Sequence, residues 1–323
     1  METEFIIWFQ RTGAPVHWLL RALSEFGPST GFGVLLSGLY WCWDYSAMSR
    51  VWFVNLTCSW LTGILKLSFH TLRPYWIEPE IKGLTHASGF GMPSGHSLVA
   101  AAVWGELGRH WHRLKVWILC GGLIAGVGIS RIYLGVHSVA QVVVGISLGL
   151  GFLAFYPHLE SKIKPGFLRL DLRRQLLVLL SCSVLACGVA LLTRWLVSDV
   201  ELPQEWVAMA LEKRPEDGII NPFSLHSPIM LAGMTLGVLG GYRVLVVWKQ
   251  DRNARDGRAR ILRFLLGGAL VGPYVLVSRR LMRGEDIVVL PFAAALSVDY
   301  LYGLVTGLLV SLVMPLVFNR CRL

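Results

Sequence analysis

Six residues separate Lys66 from Arg73-Pro74, a Pro93-Ser94-Gly95-His96 cluster follows, and five residues separate Ser130-Arg131 from His137. These residue types suit a phosphoryl group in transfer, which spreads negative charge over its equatorial oxygens. A guanidinium fork matches two such oxygens and a lysine supplies a point charge. Ser94 and Gly95 open an apolar segment. A helix start there would offer free N–H groups and a positive dipole end, and Gly95 would let the backbone approach closely. Imidazole titrates near neutrality, so one histidine can attack phosphorus while another protonates the leaving oxygen. Taken singly, each residue has a plainer reading. Lys66 and Arg73 could be snorkelling residues at span ends, Arg131 a boundary cation, and His96 a helix-start histidine with a satisfied hydrogen bond. The three clusters fall at span ends on one side of a membrane, and that convergence favours an oxyanion site.

The elements that position them follow from composition. Of 323 residues, 54% are hydrophobic and 15% charged, against about 25% charged in a soluble domain. The apolar excess lies in long runs, the pattern of an all-α integral membrane protein. Spans are expected near 28–43, 52–69, 96–108, 116–132, 138–156, 175–197, 229–248, 261–278 and 299–317, a helical bundle of about nine transmembrane spans. Residues 1–27 mix aromatics and arginines with Gly13 and Pro15 and read as an interfacial segment rather than a span or a secretory leader. Residues 28–157 would hold the three clusters, and 158–323 would add further helices beyond a Pro- and charge-containing stretch at 157–174. Five of the six cysteines lie in apolar stretches without metal-ligand spacing. The net charge of +10 does not point to nucleic acid. Its arginines and lysines cluster in short loops after 108, 156, 248 and 317, which the positive-inside rule makes cytoplasmic. The three clusters then face the extracytoplasmic side, as does the longer 198–228 loop with its acids.

The order and spacing of the clusters resemble the type 2 phosphatidic acid phosphatase superfamily, which also includes glucose-6-phosphatases and vanadium haloperoxidases. Its motifs are Lys-x6-Arg-Pro, Pro-Ser-Gly-His and Ser-Arg-x5-His-x3-Asp, and this chain meets all but the last position, where Gln141 stands. The resemblance implies a five- to six-span helical phosphatase core and hydrolysis through a phosphohistidine, with no metal and no cofactor. His137 would be the nucleophile and His96 the general acid. Lys66, Arg73, Ser94, Gly95 and Arg131 would cradle the phosphate. Gln141 can still accept Nδ1–H from His137 through its amide oxygen but cannot neutralise an imidazolium. Dolichyl-diphosphatase-like members look similar at this position, so Gln141 reads as a variant of an active site.

The expected substrate is a lipid phosphate or polyprenyl diphosphate, entering from the surrounding membrane lipids. The alternative is a glucose-6-phosphatase-like hydrolase of soluble sugar phosphates, which the string Arg73-Pro74-Tyr75-Trp76 resembles. A protein that binds or transports phosphate without cleaving it is a third class, favoured only by Gln141. No obligate protein partner is implied. Tyr75 and Trp76 read as interface anchors, and His70, Lys82 and His86 as solvated loop residues. Arg279, Arg280 and Arg283 sit against the charge rule and could meet lipid or phosphate. The 198–228 loop, with His226, could form a lid, although nothing in its spacing requires one.

Overall fold

The computed structural model describes residues 2–87, 89–214, 221–283 and 291–323, with side chains left out at 278–283. Arg279, Arg280 and Arg283, and the acids Glu216 and Asp217 of the expected lid, therefore lie outside the description. Among the described residues every regular element is helical. The longer helices are α1 (Glu2–Thr12), α2 (His17–Ser24), α3 (Thr30–Cys42), α4 (Tyr45–Phe69), α5 (Pro74–Ile77), α6 (Gly95–Trp111), α7 (Leu114–Tyr133), α8 (Val139–Arg169), α9 (Leu172–Leu196), α10 (Gln204–Lys213), α11 (His226–Val247), α12 (Gly257–Arg283), α13 (Phe292–Leu308) and α14 (Met314–Arg320). A π-helical turn, Leu309–Val313, joins the last two.

Six helical segments are long and apolar enough to cross a membrane: Leu114–Tyr133, Val139–Arg169, Leu172–Leu196, His226–Val247, Gly257–Val277 and Phe292–Arg320. Three of the nine expected spans fall short of that measure. Helix α3 has 13 residues and α6 has 17, which at ~1.5 Å per residue reach about 20 and 26 Å of a ~30 Å hydrocarbon core. Helix α4 is long enough, but it carries Arg50, Asn55 and Lys66, which dilute its hydropathy. The 157–174 stretch is mostly helical, with a break at 170–171. Helix α8 runs through it to Arg169, and a Lys164–Glu160 pair at 2.9 Å supports that end at i,i+4 spacing.

The chain divides into two compact units. The first comprises 1–32, 61–158 and 191–224 and holds all three clusters. Its axis is α6, buried on every side from Ser97 to Gly108, which is why a sequence with little amphipathic bias still makes a stable helix there. Small residues let α8 approach it closely. A Cβ at Gly145 would lie 2.6 Å from the Ser94 carbonyl oxygen, and one at Gly149 would lie 2.3 Å from that of Leu98. This spacing of small residues four apart is how helices pack where lipid supplies no hydrophobic drive. A second layer of Ile6, Leu20, Tyr75, Trp76, Ile81, Phe90, Tyr133 and Leu134 fills the end of the unit beside the clusters. Tyr75 and Trp76 are therefore core residues and not interface anchors, at 0% and 1% exposure. The Arg73 guanidinium lies 6.0 Å from the Trp76 ring.

The second unit comprises 33–60, 159–190 and 225–323. Here α11 and α13 pack backbone to backbone through Gly233 and Gly237 on one helix and Gly303 and Gly307 on the other. The π turn exposes carbonyls that side chains of α3 satisfy: Trp41 donates to Val310 and Tyr40 to Ser311.

Two glycines two residues apart on α8 separate packing from propensity. Gly149→Ala puts a methyl group into the Leu98 carbonyl and should destabilise by about 1–3 kcal/mol, read as a lower melting midpoint of the purified protein. Gly151 has nothing within 4 Å of its missing Cβ, so Gly151→Ala should stabilise by about 0.5–1 kcal/mol through helix propensity. Equal midpoints for the two variants would contradict the α6–α8 contact.

Candidate active site

The site is assembled where three chain segments leave their helices. Cross-bonds between backbones fix their register: Gly91 N–H donates to the Thr71 carbonyl at 2.7 Å, Leu84 N–H to Leu134 at 3.0 Å, and Ser94 N–H to Gln141 at 3.0 Å. His137 sits in the connection between α7 and α8, 1% exposed. Its Nδ1 lies 3.1 Å from Gln141 Oε1, and its Nε2 lies 3.3 Å from Arg73 Nη1. Arg73 can only donate, so the network assigns the lone pair to Nε2 and the proton to Nδ1.

Gln141 cannot turn around. Its amide nitrogen donates to the Leu72 carbonyl at 2.8 Å, so the oxygen must face His137. Ser138 N–H donates to the same Oε1 at 3.2 Å, and Ser138 Oγ accepts from Gln141 N–H at 3.2 Å. This reciprocal pair is a capping box, Ser-x-x-Gln, at the start of α8. One amide oxygen thus closes the first turn of a helix and holds the imidazole tautomer. Gly91 makes room for the arrangement, since a Cβ there would clash with both Gln141 Nε2 and the Leu72 oxygen.

Arg73 is a hub. Nε donates to Gly89 at 2.6 Å, Nη1 to Val136 at 2.9 Å and Nη2 to Phe90 at 3.2 Å, all carbonyl oxygens. Lys66, on the last turn of α4, runs beside Gly89, with its Nζ 4.0 Å from where a Cβ would be. Ser94 is the N-cap of α6 and is fully buried, with its hydroxyl 2.9 Å from that of Ser97. Helix α6 begins at Gly95, so its first-turn N–H groups point out of the helix without intrahelical acceptors. The packing need for Gly95 lies elsewhere than expected: a Cβ there would meet Thr62 of α4 at 2.7 Å. His96 is half-buried behind that start. Arg131 is buried and donates from Nη1 to Ser24 Oγ at 2.7 Å, while its Nε has no hydrogen-bond partner among the described residues.

The charges bearing on His137 are all positive. Burial first, then Arg73, Lys66, Arg131 and His96, hold its imidazole well below the ordinary 6.5. Such a pocket repels a divalent cation and attracts a polyanion. Among the described residues, no three His, Cys, Asp or Glu side chains gather as metal ligands.

The structure brings together Lys66, Arg73, Ser94, Gly95, His96, Arg131, His137 and Gln141. His70 stands at the edge, its ring 5.4 Å from that of Phe90. Lys82 is exposed, as expected of a solvated loop residue, with its backbone N–H and carbonyl bonded to the Gln10 side chain. The 198–228 region packs α10 beside the 79–84 loop, with Arg214 donating to the Gly83 carbonyl at 2.8 Å. Ser24 and the Leu72 carbonyl were missed from sequence. The capping box was readable as Ser138-x-x-Gln141.

An imidazole with an unprotonated Nε2, ringed by cations beside a helix start, suits an anionic group such as a phosphoryl. Residues 47–165 match the model of the PAP2 superfamily, and over that segment the chain belongs to it. The chain is 41% identical over 101 residues to a phosphatidylglycerophosphatase B of Bacillus subtilis (strain 168), covering 28% of this chain and 50% of that one. It is 27% identical over 194 residues to the glucose-6-phosphatase catalytic subunit 1 of Haplochromis nubilus, covering 50% of this chain and 53% of that one. The chain thus spans about half the length of the curated relatives it matches. A solved PAP2-type phosphatidylglycerolphosphate phosphatase from Bacillus subtilis is 30% identical, covering 50% of this chain and 77% of that one, with a TM-score of 0.30.

The Gln141 network yields a paired expectation for phosphate release from p-nitrophenyl phosphate. Gln141→Ala frees the imidazole and should lower kcat by ~10–100-fold, the scale of a lost orienting partner. Gln141→Glu keeps the length but sets an oxygen against the Leu72 carbonyl, so it should also lose activity. A Gln141→Glu variant faster than wild type would show that the Leu72 bond does not hold the amide.

Proposed function

We propose that this chain is a metal-independent membrane phosphatase that hydrolyses a lipid phosphate through a phosphohistidine on His137. The observation that carries the reading is the fixed line Leu72 carbonyl, Gln141 amide, His137 imidazole, with Nε2 left unprotonated beside Arg73. In the first step Nε2 attacks phosphorus and the bond to the leaving oxygen breaks, with His96 supplying the proton that makes it an alcohol. Burial and the cations of the pocket hold the His96 imidazole well below its ordinary value, and the bound phosphate dianion would offset them and favour its protonated form. In the second, water attacks the phosphohistidine, His96 takes back a proton, and inorganic phosphate leaves with His137 restored. Lys66, Arg131, the Arg73 guanidinium and the N–H groups at the start of α6 would carry the equatorial oxygens. Gln141 would hold the ring without sharing its positive charge.

A lipid substrate is supported by the likeness to a phosphatidylglycerophosphatase and by the outward Leu, Val and Phe side chains of α8 and α9, which stay exposed. An acyl tail kept among the helices avoids ~0.8 kcal/mol per CH₂ of exposure to water. The loop charges place the site on the extracytoplasmic side in this reading. Hydrolysis of glucose 6-phosphate is a second reading, favoured by the glucose-6-phosphatase relatives and by the string Arg73-Pro74-Tyr75-Trp76.

The test is phosphate release by the purified protein from phosphatidylglycerol phosphate, phosphatidic acid, a polyprenyl diphosphate and glucose 6-phosphate, with and without EDTA. A lipid phosphate should turn over fastest, EDTA should leave the rate unchanged, and His137→Ala should abolish it. Full activity in His137→Ala, or loss to EDTA restored by Mg²⁺, would sink the mechanism. Preference for glucose 6-phosphate would select the second reading.

The pH profile gives an independent check. Depression of the His137 pKa keeps the attacking neutral form as pH falls. The acid limb of kcat/KM reports the free enzyme, so, corrected for substrate ionisation, it should lie below the ordinary histidine value of about 6.5. An acid limb above that value would mean that the cations do not bear on the nucleophile as described.

A further inference from the structure

We propose that Ser24 is a positioning residue of the phosphate site, acting through Arg131. The inference rests on the phosphatase reading above. Ser24 ends α2, outside the 47–165 segment that matches the superfamily. Its hydroxyl oxygen accepts from Arg131 Nη1 at 2.7 Å across 107 residues of sequence, and both side chains are buried, at 5% and 3% exposure.

The chemistry of the guanidinium makes this contact directional. Arginine carries five donors in one rigid plane, so fixing one nitrogen orients the others. Arg131 Nε is buried without a partner among the described residues. An unsatisfied buried charged donor is unfavourable by itself and strongly favourable toward an anionic oxygen. Nη1 is the end tied to the protein, and Nε belongs to the part left for the substrate. Ser24 suits this task because it is neutral. A carboxylate in its place would cancel the charge that the phosphate needs, whereas a hydroxyl holds the fork and leaves the charge intact.

The rest of the N-terminal segment explains why the hydroxyl stays in place. Glu2 accepts from the N–H groups of Val139 and Ala140 at the start of α8. Gln10 bonds Lys82 in both directions and also donates to the Tyr133 carbonyl. Phe9 packs edge-on against Tyr133 at 5.4 Å, and His17 Nδ1 lies 3.3 Å from the Tyr133 hydroxyl. Three residues past Ser24, Gly27 passes so close to His96 that a Cβ would lie 2.8 Å from its ring. One turn of chain thus backs both a cradle cation and the proposed general acid.

The experiment uses the full chain, with vanadate as a probe of the oxyanion site and p-nitrophenyl phosphate as substrate. Ser24→Ala should weaken vanadate inhibition by about 10-fold, the scale of one hydrogen bond to a charged group, with kcat/KM falling alongside and KM taking more of the change than kcat. Ser24→Cys keeps the volume without a strong oxygen acceptor and should behave like Ser24→Ala. Ser24→Thr retains the hydroxyl and should restore vanadate affinity to near the wild-type value. Melting midpoints are measured for all three, and a structural role alone would lower them without moving the vanadate constant of the folded fraction. Wild-type vanadate affinity in Ser24→Ala and Ser24→Cys would overturn the role of Ser24 and leave the phosphatase reading standing. A wild-type chain that neither binds vanadate nor releases phosphate would overturn both.

Discussion

The constraint on which the site depends is the gathering of Lys66, Arg73 and Arg131 around a buried imidazole with only positive charges bearing on it. Like charges repel strongly where water is scarce. The protein answers with neutral hydrogen-bond acceptors, and Glu25 adds one carboxylate that bears on Arg131. Carbonyls of Gly89, Phe90 and Val136 take the Arg73 donors, and the Ser24 hydroxyl takes one from Arg131. Carbonyls are free to do this only where the chain has left its helices, which is why the largely non-helical stretches 70–94, interrupted only by α5, and 134–138 converge here. The close approach of α8 to α6 at Gly145 and Gly149 follows from the same need, since it brings the start of α8 to the start of α6. The positive potential that results is left for a substrate to neutralise.

Much of this was legible in the residues. The three clusters name side chains that the fold brings together, because their types and spacing leave few other uses. Long apolar runs announce helices, and the six strongest appear as helices long enough to span a membrane. What escaped depends on tertiary context. Tyr75 and Trp76 have the composition of a membrane-interface pair, yet they are the floor under Arg73, and nothing local distinguishes the two fates. Gly95 carries the expected flexibility, but the contact that forbids a side chain is with Thr62, thirty-three positions earlier in the chain. Ser24 has no signal of its own in a segment whose exposed Trp8 and Trp18 suggest only an interface. The 157–174 stretch contains two prolines and many charges, the usual marks of a break, yet α8 continues past both prolines and the break comes only at 170–171, before α9.

Gln141 shows how an amide differs from the carboxylate usual at its position. A carboxylate offers two equivalent oxygens and accepts at both. An amide has a donor end and an acceptor end, and here each end has one assignment: nitrogen to Leu72, oxygen to His137 and Ser138. Orientation is gained and charge is given up. The bare backbone of Gly91 is the matching concession on the facing loop.

The grip of the first twenty-seven residues has a consequence for biosynthesis. Their partners, Lys82, Arg131, Tyr133 and Val139, are joined to the chain roughly seventy to one hundred and forty positions later. Contacts of such sequence separation form late, since the loop they close must first be made and collapsed. A ribosome-bound chain that has inserted only its first membrane helices therefore has an N-terminal segment with nowhere to dock. Arg131 acquires its anchor only after α7 has been translated, and His137 its capped helix only after α8 has begun. The pocket is thus assembled by the return of an earlier part of the chain to a later one, so no nascent intermediate short of α8 contains the finished pocket.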